Sequence, residues 1–212
     1  MMVIRNEGQW DRRRVEEITR EAFYNLHVPG CVEHYLVHVM RGHADFLPQL
    51  DFVVELDGQV IGNIMYTKAK LVDEAGTEKE ILTFGPISIL PKYQRQGYGK
   101  ALMEHSFYQG AALGYDVVVI FGIPGNYVGR GFCSCKRYNV CLENGAFPAA
   151  LLVKELRPGV LDGRRWFYRG SPVLHVDEAA ARRYDETFPP MEKRRLPSQE
   201  EFYILSRSQV LD

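Results

Sequence analysis

The spacing of hydrophobic and polar residues along the chain predicts strands and helices in mixed order. Residues 81–89 form an apolar run rich in β-branched side chains, which is typical of a strand. Residues 115–122 are almost all apolar, as expected for a strand that is covered on both faces. Residues 10–24 and 31–41 carry apolar side chains at steps of three and four, which predicts two amphipathic helices. The order of these elements predicts an α/β fold.

Further strands are predicted on both sides of this central part. Residues 51–66 hold two apolar runs separated by Asp57-Gly58, a strong signal for a two-residue hairpin turn. Residues 149–156 predict another strand, and residues 165–169 are a candidate to pair with it. Residues 123–132 carry no regular pattern and are predicted to be irregular.

The stretch that follows the strand at 81–89 is the most informative part of the sequence. Residues 90–102 read Leu-Pro-Lys-Tyr-Gln-Arg-Gln-Gly-Tyr-Gly-Lys-Ala-Leu and lead into a helix predicted to end near Gly114. The predicted buried face of this helix consists of Ala101, Leu102, His105, Ala112 and Leu113. A strand, a turn and a helix in this order direct free N–H groups and the positive helix end at one point. Because Gly97 and Gly99 have no Cβ atoms there, the turn is predicted to bind an anion, most naturally a phosphate.

Length and composition limit the number of domains. The chain has 212 residues, of which 46% are hydrophobic and 25% charged, which suits one globular domain with an appended segment. A Pro-rich and charge-rich stretch follows a boundary near Asp177. We therefore expect a domain at residues 1–176 and a C-terminal helical extension at residues 177–212, packed on or beside it.

Charge and hydropathy bear on the kinds of partner. The formal net charge of −1 provides no basic field for nucleic acid, so no nucleic-acid partner is predicted. No apolar run approaches the roughly 20 residues of a membrane span, and the N-terminus lacks a signal-peptide core. A cytoplasmic protein without a membrane partner is therefore expected.

Cysteine and histidine residues are the candidates for metal ligands. Cys31, His34 and His38 could share one helix face, but no fourth ligand accompanies them, so no metal is predicted. Cys133 and Cys135 are too close for an easy disulfide. We expect reduced thiols that fill space in the core.

The glycine turn resembles a known family motif. Gln94-x-x-Gly97-x-Gly99 is similar to the Gln/Arg-x-x-Gly-x-Gly/Ala motif of the GNAT superfamily of N-acetyltransferases, and the resemblance extends over residues 51–132. Residues 29–38 and 84–88 more loosely resemble a bacterial subgroup of predicted N-acetyltransferases. The resemblance implies a GNAT-type mixed, mostly antiparallel sheet flanked by helices, in which the fourth and fifth strands splay apart. It also implies acetyl-CoA as the cofactor and CoA as the product.

In the resembled family the pantetheine arm enters between the splayed strands and the diphosphate lies on the glycine turn. Gly85-Pro86 fits this arrangement, because proline within a strand usually marks a bulge or an edge. The cofactor-binding residues implied by the resemblance are Ile87, Ser88, Ile89, Arg95, Gln96, Gly97, Tyr98, Gly99, Lys100 and Asn126.

The same resemblance implies a general acid. Tyr127 precedes Gly131-Phe132 by four residues, as a tyrosine does in the family. A phenol stays protonated at neutral pH and can give its proton to a departing thiolate. The sequence departs from the family pattern at Asn126, where a second tyrosine is frequent, and at Arg130, which replaces an aromatic residue. Asn126 is a candidate to bond the pantetheine arm or the acceptor.

The general base is less clearly marked. No acidic residue lies between Ile81 and Leu90, where many members of the family carry a glutamate. The resemblance places the first two helices around the acceptor pocket, which makes Glu33, His34 and His38 the candidates. Glu33 or a water is the predicted base, and the predicted substrate-binding residues are His34, His38 and Phe84.

The sequence thus predicts direct transfer of an acetyl group from acetyl-CoA to a primary amine of a small molecule or a protein. A non-catalytic acyl-CoA-binding module is the alternative, and transfer of a bulkier acyl group is a third hypothesis. A homodimer is a further expectation, because sheet edges in the resembled fold often pair.

Overall fold

A computed structural model describes residues 1–211 as one mixed sheet with helices on both faces. Its strands are β1 (Met2–Asn6), β2 (Phe52–Leu56), β3 (Gln59–Asp73), β4 (Glu78–Ile89), β5 (Val117–Phe121), β6 (Cys133–Ser134), β7 (Val140–Cys141), β8 (Leu151–Glu155) and β9 (Trp166–Arg169). Its α-helices are α1 (Arg12–Phe23), α2 (Glu33–Met40), α3 (Tyr98–Ala112), α4 (Pro124–Tyr127), α5 (Glu178–Asp185) and α6 (Pro197–Arg207). Asp212, the last residue of the predicted extension, lies outside the described residues.

The strands are ordered β1-β2-β3-β4-β5-β8-β6, and β9 pairs with β3 and β7. Only the β4–β5 and β7–β9 pairs are parallel among the described strands. The predicted mixed, mostly antiparallel sheet is therefore confirmed. The predicted hairpin is confirmed as well, since Asp57 and Gly58 join β2 to β3 with φ of 50° and 81°.

The splayed strand pair is the feature that positions the site. β4 and β5 pair only between Leu82 and Val118, and beyond Leu82 the two strands separate. The β3–β4 register shifts between Ile64 and Tyr66, opposite Gly85-Pro86. The bulge predicted from this Gly-Pro pair is thus confirmed, and it lies where β4 leaves its neighbour.

Helix α1 crosses the sheet from the side of β1 to β4. One row of paired residues runs across the first four strands: Arg5, Val53, Asn63 and Ser88. Near the start of α1, Asp11 binds Arg5 at 2.6 Å. Two turns later the Thr19 hydroxyl lies 3.3 Å from the Asn63 side chain and accepts from the Ser88 hydroxyl at 3.1 Å. The last turn of α1 therefore follows the contact with β4, the strand that borders the gap.

Helix α3 packs on the opposite face of the sheet, and its buried side differs from the prediction. The buried residues are Leu102, Met103, Ser106, Phe107 and Gly110. The predicted Ala112 and Leu113 are exposed. At Gly110 the helix packs tightly on the Leu82 side chain of β4, since a Cβ atom there would lie 2.8 Å from Leu82 Cδ1.

Two other expectations were wrong. Residues 165–169 do not pair with β8, since β9 continues the edge of β3 from Lys70 to Asp73. That edge is free because β2 pairs with β3 only as far as Ile64. Residues 123–132 are not irregular, because Pro124 opens the short helix α4 and a 3-10 turn follows at residues 128–130.

The C-terminal segment after residue 177 lies against α1 and the loop that follows it. Arg20 donates to Asp185 at 2.6 Å and to the Pro189 carbonyl at 2.9 Å. The Asn25 side chain donates to the Glu192 carbonyl at 2.9 Å and accepts from the Arg194 amide at 3.0 Å. These bonds hold residues 185–194 of the segment to the α1–α2 region. No helix within residues 1–211 is long and apolar enough to cross a membrane.

Two acidic side chains are buried together at the start of β2. Glu7 and Asp51 contact each other, and Arg41 lies 2.8 Å from the Glu7 carboxylate. Burial raises the pKa of both carboxyls, and the charge of Glu7 adds to the effect on Asp51, whose pKa is about 8. The folded state therefore holds a proton at this pair to a higher pH than the unfolded chain does.

We predict that Asp51→Asn makes the protein more stable than wild type at pH 8 but changes its stability little at pH 4. An acid whose pKa is raised on folding contributes stability below about pH 4, and this contribution is lost as the pH rises toward 8. The asparagine carries no charge to bury. Urea unfolding at both pH values measures the difference, with exposed Asp57→Asn as the control. An equal effect of Asp51→Asn at both pH values would contradict the prediction.

Candidate active site

The open edge of β4 forms one wall of the gap. The Leu90 amide donates to the Ile61 carbonyl at 2.8 Å, which makes these residues a hydrogen-bonded pair of the antiparallel ladder. Because such pairs alternate, Ile87 and Ile89 turn their main-chain N–H groups away from β3 and toward the gap. The edge can thus pair with an extended chain of amides.

Ser88 differs from its two neighbours. Its main chain belongs to a hydrogen-bonded pair with Asn63, and its buried hydroxyl donates to Thr19 at 3.1 Å. The prediction that Ser88 contributes to the cofactor site is therefore corrected, because alternation along the strand turns its main chain to β3. Ser88 instead fixes α1 to the sheet.

A row of free amides follows at the end of β4. Within residues 1–211 the six main-chain N–H groups of residues 95–100 have no hydrogen-bond acceptor. Gly97 is the N-cap of α3 with a φ of 93°, and a Cβ atom added there would meet nothing within 4 Å. The amides therefore converge on open space at the positive end of a 15-residue helix.

Side chains hold this loop in place. The Gln94 amide group donates to the Ile89 carbonyl, and that of Gln96 donates to the Lys92 carbonyl, both at 2.9 Å. Arg95 has a positive φ of 61°, a conformation that costs a non-glycine residue about 1 kcal/mol. Strain of this kind persists where the surrounding structure enforces it, often at binding sites.

The remaining residues of the predicted diphosphate loop lie at the start of α3. Tyr98 packs edge-on against Tyr93, with 6.2 Å between the ring centroids. Lys100 pairs with Glu104 at 3.7 Å, one turn further along the helix, and remains about half exposed. The loop therefore brings positive side chains as well as amides to one exposed surface.

Tyr127 ends the short helix α4. Its ring contacts Phe84 and Phe132, with centroid separations of 5.9 and 5.7 Å. The hydroxyl has no hydrogen-bond partner within the described part of the chain. Burial raises the pKa of Tyr127 to about 12, so the phenol keeps its proton throughout the physiological range. The Tyr127 hydroxyl is therefore a proton donor that makes no hydrogen bond to an acceptor in the described part of the protein.

Gly122 was missed in the sequence, although it determines where the Tyr127 ring can lie. A Cβ atom on Gly122 would lie 2.5 Å from Cε2 of Tyr127, so the ring packs directly on the main chain of residue 122. The sequence did contain a signal for this position, because Gly122 directly follows the apolar run that forms β5. Asn126 is exposed, one residue before Tyr127.

The predicted acceptor-side residues do not form one polar stripe. His34 is fully buried, with Nδ1 3.3 Å from Cys31 Sγ and Nε2 3.3 Å from Asp185. Burial lowers the pKa of His34. His38 lies 3.0 Å from Glu16 and 2.9 Å from the Tyr184 hydroxyl. The prediction that His34 binds substrate is corrected, because the C-terminal segment covers it.

Glu33 is also engaged by neighbours. One carboxylate oxygen lies 3.3 Å from Nδ1 of His27, and the other accepts from the Val32 amide at 3.0 Å. His27 was not among the predicted site residues. Within residues 1–211 no group of three or more His, Cys, Asp or Glu side chains could hold a metal ion, and all four cysteines are free thiols.

The sequence model of the acetyltransferase (GNAT) domain matches residues 49–137, which include the splayed strands, the free amides and Tyr127. Residues 49–137 of this chain are therefore similar in sequence to a GNAT acetyltransferase domain. No curated protein matches the sequence.

Solved structures agree with this assignment. A GNAT family N-acetyltransferase (YhbS) from Escherichia coli, in complex with CoA, has 23% identity and a TM-score of 0.71 over 82% of this chain and 92% of its own. A GNAT family acetyltransferase from Brucella melitensis, in complex with acetyl-CoA, has 25% identity and a TM-score of 0.64 over 82% of this chain and 98% of its own. The GNAT fold thus extends beyond the matched residues.

We predict that Gly122→Ala destabilises the protein by about 1–3 kcal/mol, because the methyl group must displace the Tyr127 ring. Gly125→Ala is the matched control, since a Cβ atom on Gly125 meets nothing within 4 Å. Thermal unfolding of both variants measures the effect. The packing described for Tyr127 is wrong if the two substitutions change the unfolding midpoint equally.

Proposed function

We propose that the GNAT domain of this chain binds acetyl-CoA and transfers its acetyl group to a primary amine. One observation carries the proposal: the free amides of residues 95–100 lie directly beyond an open strand edge. Such an arrangement fits a ligand in which a diphosphate is followed by a peptide-like arm. The E. coli and Brucella structures support it, because they hold CoA and acetyl-CoA.

The residues have distinct parts in this proposal. The amides of residues 95–100 hold the diphosphate, and the open edge at Ile87 and Ile89 pairs with the two amides of the pantetheine arm. Acetyl-CoA supplies the thioester. Tyr127 lies beside Phe84, where β4 bulges, and its hydroxyl gives a proton to the departing sulfur.

The acceptor is proposed only as a primary amine, on a small molecule or a protein. Asn126 remains a predicted contact of the arm or of the acceptor. The domain limit at residue 176, the cytoplasmic location and the homodimer also remain predictions from the sequence.

We predict that Gly97→Ala raises the dissociation constant of acetyl-CoA at least tenfold. The substitution strains a position with a φ of 93° and places a methyl group where the phosphate oxygens would lie. Gly58→Ala is the matched control, because Gly58 also has a positive φ and open space but lies in the β2–β3 turn. Calorimetric titration measures both. Equal affinities in the two variants would contradict the proposed diphosphate site.

We predict that Tyr127→Phe lowers kcat about 100-fold and leaves the acetyl-CoA affinity unchanged, because only the proton donor is lost. Since the pKa of Tyr127 is about 12, the wild-type rate should not fall between about pH 8 and 10 through loss of this proton. Initial rates of CoA release with amine acceptors measure both effects. Full turnover of Tyr127→Phe would remove Tyr127 from the mechanism, and acetyl-CoA binding without transfer by wild type would favour an acyl-CoA-binding module.

A further inference from the structure

His27 lies beyond the end of α1, on the side where the gap opens. Thr19 contacts Ser88 on β4, and Phe23 follows one turn later, about 6 Å further along the helix axis. The chain then turns at Asn25, which has a φ of 63°, and the His27 ring packs edge-on against Phe23 at 5.7 Å. Because α1 runs from the β1 side of the sheet to β4 between Asp11 and Thr19, these two rings come after the point where the helix contacts β4, the strand that borders the gap.

The His27 ring is held on three sides. Nδ1 lies 3.3 Å from the Glu33 carboxylate, Phe23 covers one edge, and Phe202 of α6 stacks on the ring at 4.3 Å with an interplanar angle of 19°. Nε2 has no hydrogen-bond partner within residues 1–211 and is not enclosed. A carboxylate at Nδ1 keeps the proton of neutral imidazole there and leaves Nε2 as a proton acceptor.

Helix α6 connects this loop to the other side of the gap. At its first turn, Gln199 donates to the Asn25 carbonyl at 2.9 Å. Just after its last turn, the Ser208 carbonyl accepts from the Ala149 amide, and the next residue, Ala150, accepts from the Gly122 amide, both at 2.9 Å. Gly122 is the residue on which Tyr127 packs. The helix thus ties the His27 loop to the Tyr127 wall.

Helix α6 lies at the surface of the protein. Among the residues of α6 none is buried, although the helix is bonded to the body of the protein at both ends. Phe121 and Ile123, on either side of Gly122, also leave much of their apolar surface exposed. The surface between the His27 loop and the Tyr127 wall therefore carries exposed apolar side chains that an acceptor could contact.

We propose that His27 is the general base that receives the proton of the acceptor amine, with Glu33 as its positioning residue. The inference rests on the proposed function and adds the general base to the proposed reaction. It also changes the role expected for Glu33, whose two oxygens are engaged by His27 and the Val32 amide. A base is needed because an amine with a pKa near 10.4 is neutral in only about one molecule in 2,500 at pH 7.

The proposed proton transfers balance. Nε2 of His27 takes one proton from the ammonium group, and the amine lone pair forms the N–C bond to the thioester carbonyl carbon. The C–S bond breaks, and the sulfur takes the proton of the Tyr127 hydroxyl. The nitrogen then gives a second proton to the Tyr127 phenolate and keeps its third proton in the amide product. His27 returns its proton to water.

The pH dependence of the reaction at His27 depends on the charged groups near its ring. Glu33 on α2 faces Nδ1, whereas the contacts from α1 and α6 are the rings of Phe23 and Phe202, which do not titrate. The C-terminal segment brings Lys193 against Gly30 and Arg194 against Asn25 in the same loop. Glu33 is thus the titratable group in direct contact with the ring.

The first test measures proximity without requiring turnover. Bromoacetyl-CoA alkylates a thiol near the acetyl position, as the cysteine sulfur displaces bromide from the CH₂ carbon. His27→Cys should form a CoA adduct at residue 27 by mass spectrometry, and excess CoA should prevent it. Exposed His175→Cys is the matched control. Both variants must bind the reagent. If Cys at position 27 is then labelled no faster than Cys at position 175, the placement of His27 near the acetyl group is overturned.

The second test measures the base itself, with a lysine peptide, a diamine and an amino sugar as acceptors. His27→Gln should lower kcat/KM about 100-fold near pH 7, and the loss should shrink toward pH 10 as more of the free amine is already neutral. Glu33→Gln should lower it less and change the acid limb of the pH profile, whereas His175→Gln should change neither.

A pH-independent loss in His27→Gln, or no loss, would overturn the proposal for His27 while leaving the transferase activity established. If wild type binds acetyl-CoA but acetylates none of the three amines, the proposed function fails, and the role of His27 fails with it. Thermal shifts with acetyl-CoA in every variant confirm that each is folded and binds the thioester.

Discussion

The structure depends on a break in the hydrogen bonding between two neighbouring strands. β4 and β5 are paired only at Leu82 and Val118, and the bulge at Gly85-Pro86 carries the rest of β4 away from β5. Main-chain groups inside a sheet need partners, so this edge is stable only when water or a ligand meets it. The interruption of the sheet therefore creates the open edge on which the proposed site depends.

The elements around the gap have separate tasks that follow from their positions. α3 contributes its positive end and the amides before it, whereas α1 is bonded through Thr19 to β3 and to β4, the strand that borders the gap. The C-terminal segment then joins the end of α1 to the strand that carries Gly122. An acyl donor and an amine acceptor can therefore approach from different sides.

Local signals in the sequence predicted the parts of the site that depend on neighbouring residues. The Gly97 and Gly99 turn, the Asp57-Gly58 hairpin and the Gly85-Pro86 bulge are each encoded within a few positions. Contacts between distant segments were not predictable in this way. His34 followed a polar helical pattern, but a segment some 150 residues later buries it, and His27 gains its position from Glu33 and Phe202. Such pairings depend on tertiary packing, which periodicity does not encode.

The most direct test of the account is a thermal melt with acetyl-CoA, CoA, NAD and ATP in parallel. A ligand at 100 times its dissociation constant adds about 2.7 kcal/mol to the free energy of unfolding. For a chain of this size the midpoint should rise by roughly 5–10 °C. The account predicts this rise with acetyl-CoA and CoA and little change with NAD or ATP. No rise with either CoA compound would contradict it, and the free amides before α3 would then be a structural turn.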